Sequence, residues 1–440
     1  MTIVNDALIF LIFAFGWLGF YYCFVRRIWS GIIIMGAFLI RAALAIWLES
    51  GLKYAFVVDS LRYEYRSWLL AQKWMSPDIF QSLTYGSMAK FNFYEIYLAA
   101  MFYFFGKEPL IATLSNAIFG TLCIFVIYRI QVEFLSPGRE GQAKSLPACI
   151  TALLLTFYPS FCMWSATNVR DPIYLLACVT FFYCFFVAVS HPRSVTLGKR
   201  FLCLIVGGFS FWLVLGLRDY VNNLFIGAIV FGMLVFILFR KFHPVLVVPC
   251  LAVLILGILF GVQAIFPHVI EINIASLEKM RDSFANLRLL DNVAKSSFAL
   301  DQAFFSISDV LYFVPISLSH YFFGPFPWEI ADTVQAISFA EAISVYVLLY
   351  PTLLGIKRIH NRAPFHSVVI LTFVAFFVLA QSMVISNMGT IFRHRTLPFL
   401  FFAIYAGEGV YALWKEDLPP VLTTEYWRAV RSRRESVGRS

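Results

Sequence analysis

Ten consecutive residues, Val57-Val58-Asp59-Ser60-Leu61-Arg62-Tyr63-Glu64-Tyr65-Arg66, carry four charges in a chain where 13% of residues are charged. On a helix, Asp59, Arg62, Tyr63 and Arg66 fall at i, i+3, i+4 and i+7 and share one face. One carboxylate among guanidinium groups and a phenol is equipped to accept a proton from a hydroxyl while cations hold an anion. The same ten residues also read as an ordinary interfacial helix with paired charges.

Two further clusters have the same character. Asn168-Val169-Arg170-Asp171-Pro172 and Gly216-Leu217-Arg218-Asp219-Tyr220 each place Arg-Asp in a short turn between apolar runs. Asp171, followed by Pro172, is expected to cap the next helix, and Asp219 likewise. Arg170 and Arg218 are then left to bind lipid headgroups or a substrate phosphate. The segment Ser386-Asn387-Met388-Gly389-Thr390-Ile391-Phe392-Arg393-His394-Arg395 has no acid and ends in three cationic donors. Gly389 is expected to allow a tight turn there, with Arg393 and Arg395 binding phosphate.

One leading carboxylate, Asp59, with several arginines suits transfer of a group from a lipid-linked phosphate. The phosphate ester leaves without a general acid, cations hold the developing charge, and the carboxylate deprotonates the attacking hydroxyl. Glu64, Glu95 and Asp78 are competing carboxylates. The scattered acids form no oxygen cage for a divalent metal, and metal use stays open. All eight cysteines lie in apolar runs, which excludes a disulfide framework in the polar loops and points to packing roles.

The elements that must position these groups are helices in a membrane. The chain has 440 residues, is 60% hydrophobic and has a mean hydropathy of +0.79. Apolar runs of roughly 17–22 residues match the length needed to cross hydrocarbon as helices. We expect eleven spans, at about 7–25, 31–48, 110–128, 146–165, 173–189, 201–217, 221–239, 245–266, 336–356, 367–385 and 397–414. The first run follows Asp6 rather than a basic segment and reads as a span, not a cleaved signal. The aromatic stretch 91–106, which contains Glu95, is placed in the interface.

That placement gathers nineteen Lys and Arg against six acids on one face, including Arg129, Lys199, Arg200, Arg362 and the basic tail 415–440. The pattern is that of the positive-inside rule, so the net charge of +9 points to membrane insertion and anionic lipid rather than nucleic acid. The N-terminus is then outside and the tail cytoplasmic. A single transmembrane domain, residues 1–414, presents its outer loops 49–109 and 267–335 as the site face. The first half of loop 267–335 reads as an amphipathic helix. The second half, 310–328, is apolar but holds three prolines, and reads as a re-entrant or interfacial lid. Arg41, Glu341 and Glu408 lie within spans, each at an insertion cost of about 2.5–3.5 kcal/mol, and should find interhelical partners. Arg41 is near enough to the outer end of its span to snorkel.

This layout resembles the GT-C integral-membrane glycosyltransferases. The likeness lies in an early outer loop with Asp59 and Tyr63, an interfacial aromatic helix ending in Phe105-Gly106, and a span ending in a basic loop. Pro159-Ser160, Trp164-Ser165, Arg170-Asp171, Phe323-Gly324-Pro325-Phe326-Pro327-Trp328 and the segment 387–395 are similar to relatives from bacterial exopolysaccharide clusters. The resemblance runs over residues 31–414 and consists of layout and short motifs. It implies a polyprenyl-phosphate-linked sugar donor, inversion at the anomeric carbon, and a catalytic aspartate in the first outer loop, which here is Asp59. Two spans before that loop, where the family usually has one, and the lack of a paired acidic motif at Asp59 depart from the pattern.

The leading expectation is a glycosyltransferase on the extracytoplasmic side of a bacterial cytoplasmic membrane. Asp59 acts as base, Arg62 and Tyr63 orient it, and Arg170, Arg218, Arg393 and Arg395 hold the lipid phosphate, with a glycan, lipid or protein as acceptor. A surface-polysaccharide polymerase or ligase, driven by arginines without an obligatory aspartate, is the near rival. A transporter or flippase for lipid-linked saccharides predicts inverted repeats and charged mid-depth helices. The chain shows no such repeat and few mid-span charges.

Overall fold

The computed structural model describes residues 28–52, 58–76, 91–137, 141–189, 196–218, 307–330, 333–385 and 388–417, with short helical pieces between 227 and 237. About 91% of this structure is helical, with no strand among the described residues. Seven helices are long and apolar enough to cross a membrane, or eight if one bent pair counts as a span. The chain is an all-helical, multi-pass membrane protein. The expected spans 7–25 and 245–266, most of 221–239, the first half of loop 267–335 and residues 418–440 lie outside the described residues.

The first described span, α1 (Ile28–Trp47), runs on through a wider π turn to Leu52. Two shorter helices follow. The first, α2 (Val58–Met75), is amphipathic, and Ser60, Tyr63, Glu64, Ser67 and Leu70 bury one side while Asp59, Leu61, Arg62 and Tyr65 are exposed. The second, α3 (Phe93–Phe105), is thirteen residues long, too short for a span of hydrocarbon. Its start is fixed by a capping box in which Asn92 accepts from the Glu95 amide at 2.9 Å and Glu95 accepts from the Asn92 amide at 3.0 Å. Gly106, at φ +80°, ends it in a backbone conformation that only glycine adopts cheaply. Leu70, Ala71, Ala99 and Phe102 pack α2 and α3 together.

Pro109 then opens α4 (Pro109–Ile130) at a position where its missing N–H costs nothing. The expected span 146–165 is two helices, α5 (Gly141–Phe157) and α6 (Pro159–Ser165), bent by 66°. The cause is local: Tyr158 is extended, as the residue before a proline prefers, and Pro159 restarts the helix. Two straight spans follow, α7 (Asp171–Val189) and α8 (Leu197–Leu217).

Beyond the central gap comes α9 (Ile307–Phe323), which continues through Pro315 and ends at Gly324. The second half of the long loop is therefore a continuous helix followed by a proline turn, packed on its neighbours, rather than a chain broken three times. Two long helices, α10 (Thr333–Arg362) and α11 (Pro364–Val384), precede a short one, α12 (Met388–His394), and the final α13 (Thr396–Asp417). Gly389 lies inside α12, so the tight turn expected of it is a helical turn instead. The helices α10 and α13 pack unusually close: a Cβ at Gly355 or Gly409 would overlap the carbonyl oxygens of Tyr405 and Pro351 respectively. Small residues let the two backbones approach, which is the usual basis of helix association where no hydrophobic drive exists.

The polar groups separate to two ends of this bundle. At one end, Arg129, Tyr183 and Lys199 surround Glu133, and Arg362 pairs with the fully buried Glu408. His366 packs beside Phe134, with ring centres 5.5 Å apart. The other end collects the start of α2, the turn from α6 to α7, the end of α8 and α12. Six cysteines (Cys123, Cys149, Cys162, Cys178, Cys184 and Cys203) are buried free thiols.

Candidate active site

Asp171 is the hub of that second end. The sequence suggests a helix cap, yet α7 begins at Asp171 itself, and both carboxylate oxygens go to arginines. Oδ1 pairs with Arg218 Nη2, and Oδ2 accepts from Arg393 Nε at 2.6 Å. The two Arg-Asp turns of the sequence therefore interlock, the arginine of the second holding the aspartate of the first. Asp219 lies outside the described residues.

From this hub Arg393 reaches outward. Its Nη1 donates to Asp59 Oδ2 at 2.5 Å, and its guanidinium lies 5.3 Å from the centre of the Trp164 ring. Asp59 is 51% exposed, whereas Asp171 is 5% exposed and Arg393 12%. The buried carboxylates Asp171 and the exposed Asp59 hold Arg393 firmly protonated, against the cost of its burial. Arg218 is buried and stacks 4.7 Å over Tyr174.

His394 completes the inner side. Its Nδ1 lies 2.7 Å from Gln381 Oε1, and Arg218 Nη1 lies 3.3 Å from both ring nitrogens. Burial first, and then the adjoining Arg218, push the His394 pKa well below its ordinary value. The residue is a neutral acceptor, not the third cation that the Arg-His-Arg run suggests.

The helix carrying Asp59 is anchored by neutral and ionic contacts. Glu64 is buried, accepting from Ser60 Oγ at 3.0 Å and Asn168 Nδ2 at 2.8 Å. Asn168 Oδ1 in turn accepts from Thr113 Oγ1 at 2.9 Å, which ties α2 to α4. Tyr63 is buried edge-on against Tyr94, with ring centres 5.3 Å apart. Arg66 pairs with Glu95 at 3.0 Å, joining α2 to α3. The expected four-residue face is thus divided: Tyr63 is packed, Arg66 is bound to α3, Arg62 is exposed, and Asp59 meets Arg393. It is Arg393, not Arg62, that holds Asp59. Asp78 lies outside the described residues.

Arg395, two residues from Arg393, belongs to a different cluster. Its Nε and Nη2 contact Glu341 Oε1 at 3.0 and 2.9 Å, and its Nη1 donates to the Gly324 carbonyl at 3.0 Å. Glu341 also accepts from the Tyr158 hydroxyl and the Ser160 amide, each at 2.8 Å. Arg395 and Glu341 are both at least 97% buried. Arg395 and Arg218 are turned toward buried partners, Arg395 to Glu341 and the Gly324 carbonyl and Arg218 to Asp171 and His394. Arg170 keeps one bond, Nη1 to the Leu217 carbonyl at 2.9 Å, and is half-buried beside Asp171. Arg41 neither snorkels nor pairs with an acid. It is fully buried, donates to the Ala37 and Leu155 carbonyls at 3.1 Å each, and lies 4.7 Å over Phe161.

No group of three or more metal-ligating side chains occurs among the described residues. The arrangement sets an exposed carboxylate against a half-buried, permanently charged guanidinium. Asp171, Gln381 and Asn168 were not predicted in these roles, though for Asp171 the Arg-Asp echo was the available signal; Glu341 has the interhelical partner expected of it, in Arg395. Compared with family models, curated proteins and solved structures, the chain matches none.

Proposed function

We propose that this protein is a membrane glycosyltransferase of GT-C type. It moves a sugar from a polyprenyl-(pyro)phosphate donor to an acceptor on the extracytoplasmic face of a bacterial cytoplasmic membrane. The observation that carries the reading is the contact between exposed Asp59 and Arg393, itself braced by buried Asp171. A base and a cation thus stand at one opening, on the end of the bundle away from Arg129, Lys199 and Arg362.

Asp59 takes the proton from the acceptor hydroxyl as its oxygen bonds to the anomeric carbon. The bond from that carbon to the phosphate oxygen breaks on the opposite face, with inversion, and the electron pair leaves on the phosphate. Arg393 stabilises that charge, and Arg62 and Arg170 add positive potential around the opening. Arg218 and Arg395 act through others: Arg218 fixes Asp171, and Arg395 secures the junction of α12 and α13. The three guanidiniums of Arg170, Arg218 and Arg393 around Asp171 also favour a second reading, an arginine-driven polysaccharide polymerase or ligase.

Asp59→Asn and Arg393→Gln, assayed with lipid-linked sugar in membranes at matched expression, separate the two. The glycosyltransferase reading expects each to lose about 100-fold or more. Full activity in Asp59→Asn with loss in Arg393→Gln would assign the arginine-driven reaction instead.

A further inference from the structure

Asp59 Oδ2 takes an N–H of Arg393 Nη1 from the exposed side, and a phosphate oxygen approaching from that side competes with it for the guanidinium. We propose that this position is an anion seat which Asp59 occupies until the phosphate of a lipid-linked donor displaces it, so that the donor's arrival frees the base. The inference rests on the glycosyl-transfer reading above and adds an order of binding to it.

The two limbs of Arg393 differ in how they can open. On the inner side, Asp171 is 5% exposed and is shared with Arg218, so its release would strand two buried guanidiniums. On the outer side, Asp59 is 51% exposed, at the first turn of α2, and a broken contact there is solvated by water. Only the outer limb exchanges readily. Trp164 beneath the guanidinium and Asp171 at Nε keep Arg393 aimed at the opening after the exchange.

Charge favours the exchange. Arg170, Arg218 and Arg393 against Asp59 and Asp171 leave one positive charge, and departure of Asp59 leaves two, while neutral His394 adds none. A phosphate ester carries one to two negative charges and accepts from a guanidinium more fully than one carboxylate oxygen does. The exchange also resolves a chemical conflict. The Asp59 oxygen that accepts from Arg393 has a lone pair engaged, whereas Asp59 set free has it available for the acceptor hydroxyl.

The test uses the full chain in detergent, with a short prenyl phosphate, the matching prenyl alcohol and inorganic phosphate as probes, and binding measured by calorimetry. Asp59→Asn should tighten prenyl phosphate about five-fold, the scale of an exposed ion pair removed from competition. Glu108→Gln removes an exposed negative charge that anchors nothing at the site, and should leave affinity unchanged. Arg393→Gln should abolish binding, and Asp59→Asn added to it should restore nothing. The prenyl alcohol should bind none of these variants measurably.

Unchanged affinity in Asp59→Asn, an equal gain in Glu108→Gln, or a gain that survives in the Arg393→Gln background would overturn the seat. Equal affinity for inorganic and prenyl phosphate would overturn its assignment to a lipid. Transfer activity reports separately: an inactive Asp59→Asn that binds no tighter sinks the exchange and keeps the base. An active one that binds tighter sinks the base and keeps the seat.

Discussion

Arg393 and Arg395 lie two residues apart and each meets a carboxylate, yet the two pairs do opposite work. Arg395 and Glu341 are sealed, and Tyr158, Ser160 and the Gly324 carbonyl saturate them. Arg393 is sealed on one side by Asp171 and open on the other at Asp59. A fully enclosed ion pair specifies how helices meet, whereas a half-enclosed one keeps a charge in place with one partner exposed to solvent. Residue type does not separate the two; burial of the carboxylate does.

The sharpest way to break this comparison is to remove the sealed carboxylate. Glu341→Ala strands buried Arg395 and is expected to cost about 3–5 kcal/mol, read as loss of monodisperse protein or a large fall in detergent melting temperature. If stability were unchanged, the sealed pair would not hold the junction. Asp171→Asn comes next. It keeps shape but takes the shared charge from Arg218 and Arg393, so about 2–3 kcal/mol should be lost together with transfer activity. A variant of full activity would show that Arg393 does not need its inner brace.

His394 offers a smaller, pH-dependent test. Its folded pKa lies below the unfolded value of about 6.5, so the unfolded chain binds the proton more readily. The stability it contributes is present above about pH 6.5 and is lost as pH falls toward the folded value, at up to about 1.4 kcal/mol per unit. His394→Gln should flatten that part of the melting profile between pH 7 and 5. Equal slopes in both proteins would show that His394 is not the neutral acceptor of Arg218. Smallest of all, Asp59→Asn should change stability by about 1 kcal/mol or less, because the lost contact is exposed.

How much of this was legible in the sequence depended on whether a signal was local. Eight of the expected spans coincide with described apolar helices or the bent pair, because twenty apolar residues leave a chain few alternatives. The stretch 91–106, expected in the interface, is a short helix whose start is set by Asn92 and Glu95. Partners were not legible. Nothing local joins Asp59 to Arg393, 334 positions away. Asp171 before Pro172 looks like a cap until Arg218 and Arg393 arrive from other helices to claim its oxygens. His394 reads in the sequence as one more donor of an Arg-His-Arg run, and burial first and then Arg218 hold it in the neutral form. The bend at Tyr158 needed only the rule for residues before proline, whereas helix α9 overrode Pro315.

The central claim is that the open carboxylate reacts and the sealed one does not. Its most direct test is single-turnover transfer by Asp59→Asn in protein whose melting temperature matches the parent. The account predicts the chemical step slowed by about 100-fold or more with folding intact. An unchanged chemical step in well-folded Asp59→Asn would contradict it and leave the arginines as the only chemistry at that opening.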